Sequence, residues 1–530
     1  MTPAQYDYIV VGGGTAGNIV ASLLSDSPSL SILLLESGPY TKYSLLSLPS
    51  IPGLTSLNVA SGALDHKLKL SPQTAALKTS ASPGFANRSI PIPRGKVLGG
   101  SNELNFMLHV PATSGDYDNW ARITGSDLWS ASRMKAHEEA YTENIQPTTK
   151  TPADANAVSN AFVASHPDAF LYTAAVKDGV RSSTARAYTH PRLLDGRENL
   201  HVHVNAEVDR LLTNGTHVTG VSFADGRTAY ATRETILCAG AYHSPALLLK
   251  SGIGNSEVGK NLQDHPIVGL KYRLQGGSSW WPFSLTLLSV FGSYHTFADY
   301  WRGHGPLSTS GVDFGLFGHS SDKWKQEDRP DLQLHGMPTA GDKGLIKDFL
   351  KFEQTFMDSF GTASDYSPLF SQGAVIAPTL LHPVSRGTVS IDARGEPVIE
   401  HEYYSEPDDM RRMVRCVRLA QEVMAGGAMA ELEPELLTHK VLEEELGRDT
   451  DEYWEEYIRL FGFLVYHPVG TCSMGGGEEG VVDAQLRVRG IRGLRVCDAS
   501  VMPEITSGNT NVPTGAVAHN CVAMVKEAQE

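Results

Sequence analysis

The stretch "YDYIVVGGGTAGNIVASLLS", residues 6–25, changes its periodicity halfway along. Tyr6 to Val11 is a nearly continuous apolar run, the pattern of a strand covered on both faces. From Thr15 onward the apolar residues recur at helical spacing. Between the two lies Gly12-x-Gly14-x-x-Gly17, with Thr15 and Ala16 inside the motif. Glycines at these positions allow a tight turn and let backbone N–H groups approach a pyrophosphate at the helix N-terminus. "LSILLLE" (30–36) supplies a second buried strand, so residues 6–36 read as a β-α-β unit. Glu36 ends that strand 24 residues after Gly12, where an acid bonds an adenosine ribose hydroxyl. A bare glycine motif is weak; between this strand and this helix it marks a dinucleotide site, for FAD or NAD.

Working outward, residues 40–93 are rich in Ser, Pro and Leu without period. "PRGKVLGGSNELNF" (93–106) then brings a second Gly-rich turn, expected to enter a helix. An NAD site would continue in regular β-α alternation. A long excursion followed by another glycine turn favours FAD, whose flavin end needs contacts from distant segments. Residues 143–156 read as a linker or exposed loop, and 200–240 as successive strands turning at Asn214-Gly215 and Asp225-Gly226. His201 and His203 alternate along one of those strands, more simply one face of a sheet than a metal pair. Phe291, Tyr294, Phe297 and Trp301 fall at helical spacing, expected as a helix packed on a core. Residues 408–425 predict an amphipathic helix opened by acids, and the acidic runs after it predict solvated helix faces.

The whole chain bounds the answer. At 530 residues and 57.3 kDa it is too long for one simple core, so two domains are expected. The net charge of −15 and the absence of Lys/Arg clusters argue against a nucleic-acid partner. Five scattered cysteines, none in C-x-x-C spacing, fit neither a disulfide framework nor a zinc site. No apolar run reaches the length of a membrane span. The chain enters a strand almost at once, so a cytoplasmic location is expected.

Further motifs identify a family. "GKVLGGSNELNF" (95–106), "GAYHSPALLLKSGIG" (240–254), "VGKNLQDHP" (258–266), "PDLQLHG" (330–336), "SRGTVSI" (385–391), "YHPVGTCSMG" (466–475), "LRVCDASVMP" (494–503) and "GNTNVPTGAVA" (508–518) occur in that order. Together they resemble the glucose-methanol-choline (GMC) oxidoreductases, along nearly the whole chain. The resemblance implies an α/β fold: a Rossmann-like FAD-binding domain plus a substrate-binding cap with an antiparallel sheet. The FAD domain is expected to be discontinuous (1–115, 181–265 and 465–530), with the cap at 116–180 and 266–464.

The resemblance also implies site residues. Gly12, Gly14, Thr15, Ala16, Gly17 and Glu36 would hold the ADP half of FAD. Gly100 belongs to the second glycine turn, and Asn105, Phe106, Met107 and Leu108 resemble the segment along the flavin. Val208 is similar to the residue whose backbone meets adenine. Asp498 and Ala499 resemble the pair near the ribityl-pyrophosphate, with Pro513 also on the cofactor side. His467 is similar to the family's active-site histidine, and Asn511 falls where its partner is expected. Asn509, taken to share a strand with Asn511, is expected to brace the loop, and His265 to be structural.

Removing a hydroxyl proton and a carbon-bound hydride needs a base and an orienting partner beside a hydride acceptor. Neutral imidazole suits the first role and a side-chain amide the second. The expected reaction is therefore oxidation of a primary or secondary alcohol to a carbonyl, with hydride passing to flavin N5, and the aromatic content of the cap favours aryl or other apolar alcohols over sugars. Dioxygen or another acceptor would reoxidise the flavin. The alternative within the family is a lyase or cyclase that uses His467 as acid/base. Three departures stand out: Ser101-Asn102 replaces the usual Ser-Ser, Leu104 replaces the histidine of members that link FAD covalently, and only Asn255-Ser256-Glu257 separate two motifs usually further apart. The second implies non-covalent FAD.

Overall fold

A computed structural model describes residues 4–41, 48–71, 90–275, 300, 305–338 and 373–528. The Ala4–Val11 strand lies at the centre of a seven-stranded sheet, parallel to Ile32–Leu35 on one side and to Thr228–Leu237 on the other. Leu200–His203 extends the parallel part beyond Ile32–Leu35, and Leu494–Val496 pairs in parallel with Thr228–Leu237. Two antiparallel strands, Val208–Asn214 and His217–Phe223, complete the sheet, joined at Asn214-Gly215. The sheet thus draws on three separated stretches of chain. The Thr15–Leu24 helix packs on Asn511–Glu527, which packs in turn on Ala131–Ile145. Gly515 permits that last contact, since a Cβ there would sit 2.4 Å from the Tyr141 ring.

A second, antiparallel sheet has its own core. It is ordered Glu435–Leu436, Leu270–Arg273, Gly373–Leu380, Leu332–Met337, Phe314–Gly318 and Ala169–Leu171, with Pro266–Ile267 and Phe463–Leu464 at its margin. Alternation along a strand sends successive side chains to opposite faces. Val268, Leu270, Tyr272, Leu332, Leu334, Ala374 and Ile376 face one way and join Met413, Val417, Ala420 and Tyr457 in a buried cluster. These last come from the Pro407–Met424 and Asp451–Phe461 helices, whose apolar stripes close that face. The odd-numbered neighbours face the other way, into a cavity between the two sheets.

Several expectations change. The glycine turn at 99–100 leads not into an α-helix but into a single 3-10 turn, Gly100–Glu103, after which Met107 takes a φ of 61°. Asn511 does not lie on a strand: it opens the Asn511–Glu527 helix, and Pro513, which has no N–H, fits its first turn because an N–H there would have no intrahelical partner. The expected helix through Phe291, Tyr294, Phe297 and Trp301 lies outside the described residues. All five cysteines are free and buried. Among the described residues no group of side chains is arranged to hold a metal ion, and no helix is long and apolar enough to cross a membrane.

Candidate active site

One cavity of about 780 Å³ runs from the glycine cradle to the antiparallel sheet. At one end the first strand stops at Val11 and the chain reverses through Gly12 at a φ of 104°, where a Cβ would lie 2.4 Å from the Cys238 carbonyl oxygen. Gly17 approaches so closely that a Cβ would sit 1.8 Å from the Gly12 carbonyl oxygen. The second glycine turn docks on the first, with Gly99 N–H donating to the Gly13 carbonyl at 2.7 Å. Gly14, by contrast, has only one atom within reach of its missing Cβ, at 4.0 Å, and faces open cavity. That open cradle at a helix N-terminus is what a pyrophosphate requires.

The other cofactor-side residues gather around it. Gly12, Gly14, Thr15, Ala16, Glu36, Gly100, Asn105, Phe106, Met107, Leu108, Val208, Asp498 and Ala499 all line the cavity, whereas Gly17 and Pro513 pack behind its wall. The Glu36 carboxylate accepts from Gly13 N–H at 2.9 Å and Gly38 N–H at 2.7 Å, and burial pushes its pKa up to about 7. Asp498 is heavily committed within the protein, accepting from Gly240 N–H, the Ser244 hydroxyl and Ser500 N–H. The donor set, the bare glycine backbone and a terminal acid fit an adenine dinucleotide. Arg181 carried no signal in the sequence. Buried at 1% exposure, it donates to the carbonyls of Pro49, Asn102 and Asn105, to Asn105 Oδ1 and to the Thr55 hydroxyl. It thereby pins the turn that lays residues 105–108 along the cavity.

At the far end stands His467. Tyr466 before it holds a φ of 66°, and the Arg94 guanidinium donates to the Tyr466 carbonyl at 2.6 Å. An aromatic residue in the left-handed region is strained, and such strain persists only where surrounding bonds enforce it. Asp264 enforces it further: its Oδ1 accepts from both His265 N–H and His467 N–H. Burial pushes the Asp264 carboxyl up to about 7, while nearby Arg94 works against that rise. Burial, with His265, His335 and Arg94 close by, holds the His467 pKa well below the usual imidazole value, so the ring is neutral.

The structure brings Asn509, not Asn511, to His467. Asn509 Nδ2 donates to His467 Nε2 at 3.1 Å, and Asn509 Oδ1 is buried with no partner among the described residues. Asn511 lines the same cavity elsewhere: its Oδ1 accepts from the Tyr141 hydroxyl at 2.5 Å and its Nδ2 donates to the Thr15 hydroxyl at 3.4 Å. The cause is local. Asn509 belongs to the loop before the helix, and Asn511 is already turned with the helix toward the glycine cradle.

The cap sheet forms the floor beside this pair. Ile267, Lys271, His335, Met337, Val375 and Ala377 alternate with the buried row and line the cavity. Register sets Val375 opposite both Lys271 and Met337, and Ala377 opposite His335. Tyr457, Phe461, Phe463 and Val465 add apolar wall. His335 comes from the "PDLQLHG" stretch. Gln333 Nε2 donates to the Tyr172 hydroxyl, leaving the Tyr172 proton to go to His335 Nδ1, each at 2.9 Å. Its Nε2 therefore carries hydrogen, and that buried atom has no partner among the described residues.

The chain matches GMC oxidoreductase over residues 6–166 and 150–267 in one part and 383–518 in the other. It is 30% identical to an alcohol dehydrogenase [acceptor] of Pseudomonas putida, covering 98% of this chain and 96% of that one. It is 29% identical to an oxygen-dependent choline dehydrogenase of Pectobacterium carotovorum, covering 99% and 95%. Among solved structures, pyridoxine 4-oxidase from Mesorbium loti superposes with a TM-score of 0.76 at 21% identity, over 98% of this chain and 99% of that one. The chain belongs to the GMC oxidoreductase family, and FAD is its cofactor.

Proposed function

We propose that the protein oxidises the CH–OH group of an apolar or aryl alcohol to a carbonyl, with His467 as base and Asn509 as its partner. One observation carries this reading: a neutral imidazole Nε2 and a side-chain amide meet at 3.1 Å on the wall of the cavity that also holds the glycine cradle. FAD, when bound, supplies the hydride acceptor. His467 Nε2 takes the hydroxyl proton, and the Asn509 amide donates to the oxygen as negative charge builds on it. The apolar floor and wall exclude water, which strengthens both interactions. Asn511 is assigned to the cofactor side, tying the last helix to Thr15. The same apolar lining, from Ile267 to Phe463, favours an alcohol carrying aromatic or aliphatic surface over a sugar. The name of one relative, an alcohol dehydrogenase, agrees with alcohol oxidation in general.

Anaerobic mixing of the FAD-loaded protein with a panel of alcohols tests it. Bleaching of the oxidised-flavin band by one class of alcohol, abolished in His467→Ala with FAD retained, is the expected result. Admitting air then separates an oxidase from a dehydrogenase that needs another acceptor. A fully loaded protein that no alcohol bleaches would overturn the reading in favour of a lyase or cyclase.

A further inference from the structure

The edge of His467 turned away from Asn509 meets a second histidine. His265 Nδ1 and His467 Nδ1 are 3.1 Å apart, their rings perpendicular. On its far side, His265 Nε2 is 3.1 Å from the Thr506 carbonyl oxygen. A carbonyl oxygen only accepts, so His265 Nε2 carries the hydrogen. His265 is fully buried, and that burial brings its pKa down to about 3, so the ring is neutral and its lone pair sits on Nδ1. Only an N–H can meet that lone pair, which places hydrogen on His467 Nδ1. His467 is neutral as well, so its Nε2 is left bare, toward Asn509. The Asn509 amide nitrogen, itself a donor, agrees with this independently. Every donor in the chain from Thr506 to Asn509 finds an acceptor in one arrangement of protons.

We propose that His265 is a positioning residue that fixes the tautomer of His467 through the Thr506–His265–His467 hydrogen bonds, presenting a bare Nε2 to the substrate hydroxyl. In the proton-transfer step the substrate O–H bond breaks and an N–H bond forms at His467 Nε2. The ring becomes an imidazolium, whose Nδ1–H stays held by His265. A carboxylate in the place of His265 would orient the ring equally but would also favour its protonated form. A neutral ring orients it without that penalty, so the base stays free at moderately acidic pH. The other groups facing the two rings are Asp264, on their backbone N–H groups, and the Leu381 carbonyl beside His265, with Arg94, His335 and His382. The kinetic consequence rests on the alcohol-oxidation reading; the tautomer does not.

The test is therefore read first without substrate. In FAD-loaded protein labelled with ¹⁵N-histidine, long-range ¹H–¹⁵N spectra report which ring nitrogen of His467 carries hydrogen, with the signal assigned by its loss in His467→Ala. The expected result is the Nδ1–H form in the wild type, a mixture or the Nε2–H form in His265→Ala, and Nδ1–H again in His265→Gln, whose Oε1 can accept. An Nε2–H wild type, or an Nδ1–H form that survives His265→Ala, overturns the proposal. With an alcohol that bleaches the flavin, His265→Ala is expected to slow reduction about 10²-fold, the cost typical of removing a group that orients a functional histidine, and His265→Gln by far less. His265→Glu should move the acid limb of the rate to higher pH. Equal slowing in Ala and Gln with no change of pH profile would also overturn it. If no alcohol bleaches the flavin while the tautomer behaves as stated, the proposed reaction fails and the positioning role stands.

Discussion

The two ends of the cavity are built by opposite means. The cradle is backbone: Gly12 to Gly17 are contiguous, and their spacing is imposed by what a Cβ would strike. The floor is side chains: Lys271, His335, Met337, Val375 and Ala377 come from three strands far apart in sequence, each reaching the cavity only through alternation and register. A backbone site tolerates almost no substitution and keeps one shape. A floor of alternate side chains can be rewritten one position at a time while the buried row beneath it holds the sheet. The contrast explains how one fold keeps its cofactor while changing what it oxidises.

The sharpest way to break that contrast is to put a side chain into the cradle. Gly17→Val should give a protein that retains no FAD, read as loss of the yellow absorbance, because its Cβ would lie 1.8 Å from the Gly12 carbonyl. Val375→Ala, on the floor, should keep FAD fully bound. A Gly17→Val protein that stays yellow would end the claim that the two halves differ in tolerance.

Next in size are the two asparagines. With the alcohol identified, His467→Ala should slow flavin reduction about 10³-fold, within the range of a lost general base. Asn509→Ala should slow it less, with FAD affinity unchanged. Asn511→Ala should do the reverse, lowering FAD affinity through the lost contacts to Tyr141 and Thr15. Stopped-flow reduction and FAD titration on the pair decide it, and swapped phenotypes would restore Asn511 as the partner of the base.

That pair also marks how far the sequence could be read. The β-α-β unit, the cradle and the position of His467 in the cavity were legible because local spacing carries them. Asn511 was expected at the base from the resemblance alone; the structure sets Asn509 within 3.1 Å of His467 instead, because the helix begins at Asn511 and no strand runs through both. The signal was present in Pro513, which belongs in a first helical turn. Arg181 was not legible at all: its five acceptors come from Pro49, Thr55, Asn102 and Asn105, and only the folded chain assembles them. His265 and His335 stood in recognisable motifs, but their roles depend on which ring nitrogen meets which partner.

Asp264 gives an effect of intermediate size, visible in stability. Its carboxyl is pushed up to about 7 in the fold against 3.8 for the exposed group. A raised carboxyl pKa means the folded state holds a proton that the unfolded chain has already released. Stability from this group is therefore full below about pH 4 and is lost as pH rises toward 7, by on the order of 4 kcal/mol at most. Asp264→Asn keeps an Oδ1 to accept from His265 and His467 but does not titrate. Its melting temperature should match the wild type near pH 4 and exceed it at pH 8. Parallel melting curves at both values would mean that Arg94 already neutralises the burial cost.

The smallest effect tests the floor by itself. The Gln333–Tyr172–His335 chain leaves a buried His335 Nε2–H facing an otherwise mostly apolar surface. A donor so placed has value only if something bound in the cavity accepts from it, and burial brings the ring pKa down to about 4, so it donates as a neutral N–H. His335→Leu removes the donor and puts an apolar side chain between Gly315 and Ala377. One hydrogen bond is worth about 1 kcal/mol, so KM should rise about fivefold for alcohols with a second acceptor atom and stay unchanged for plain aliphatic ones. An equal rise in KM for both kinds would place the donor on the hydroxyl oxygen itself. A fall in kcat instead would make His335 part of the machinery that holds the developing negative charge, and the floor would no longer be a region of recognition alone.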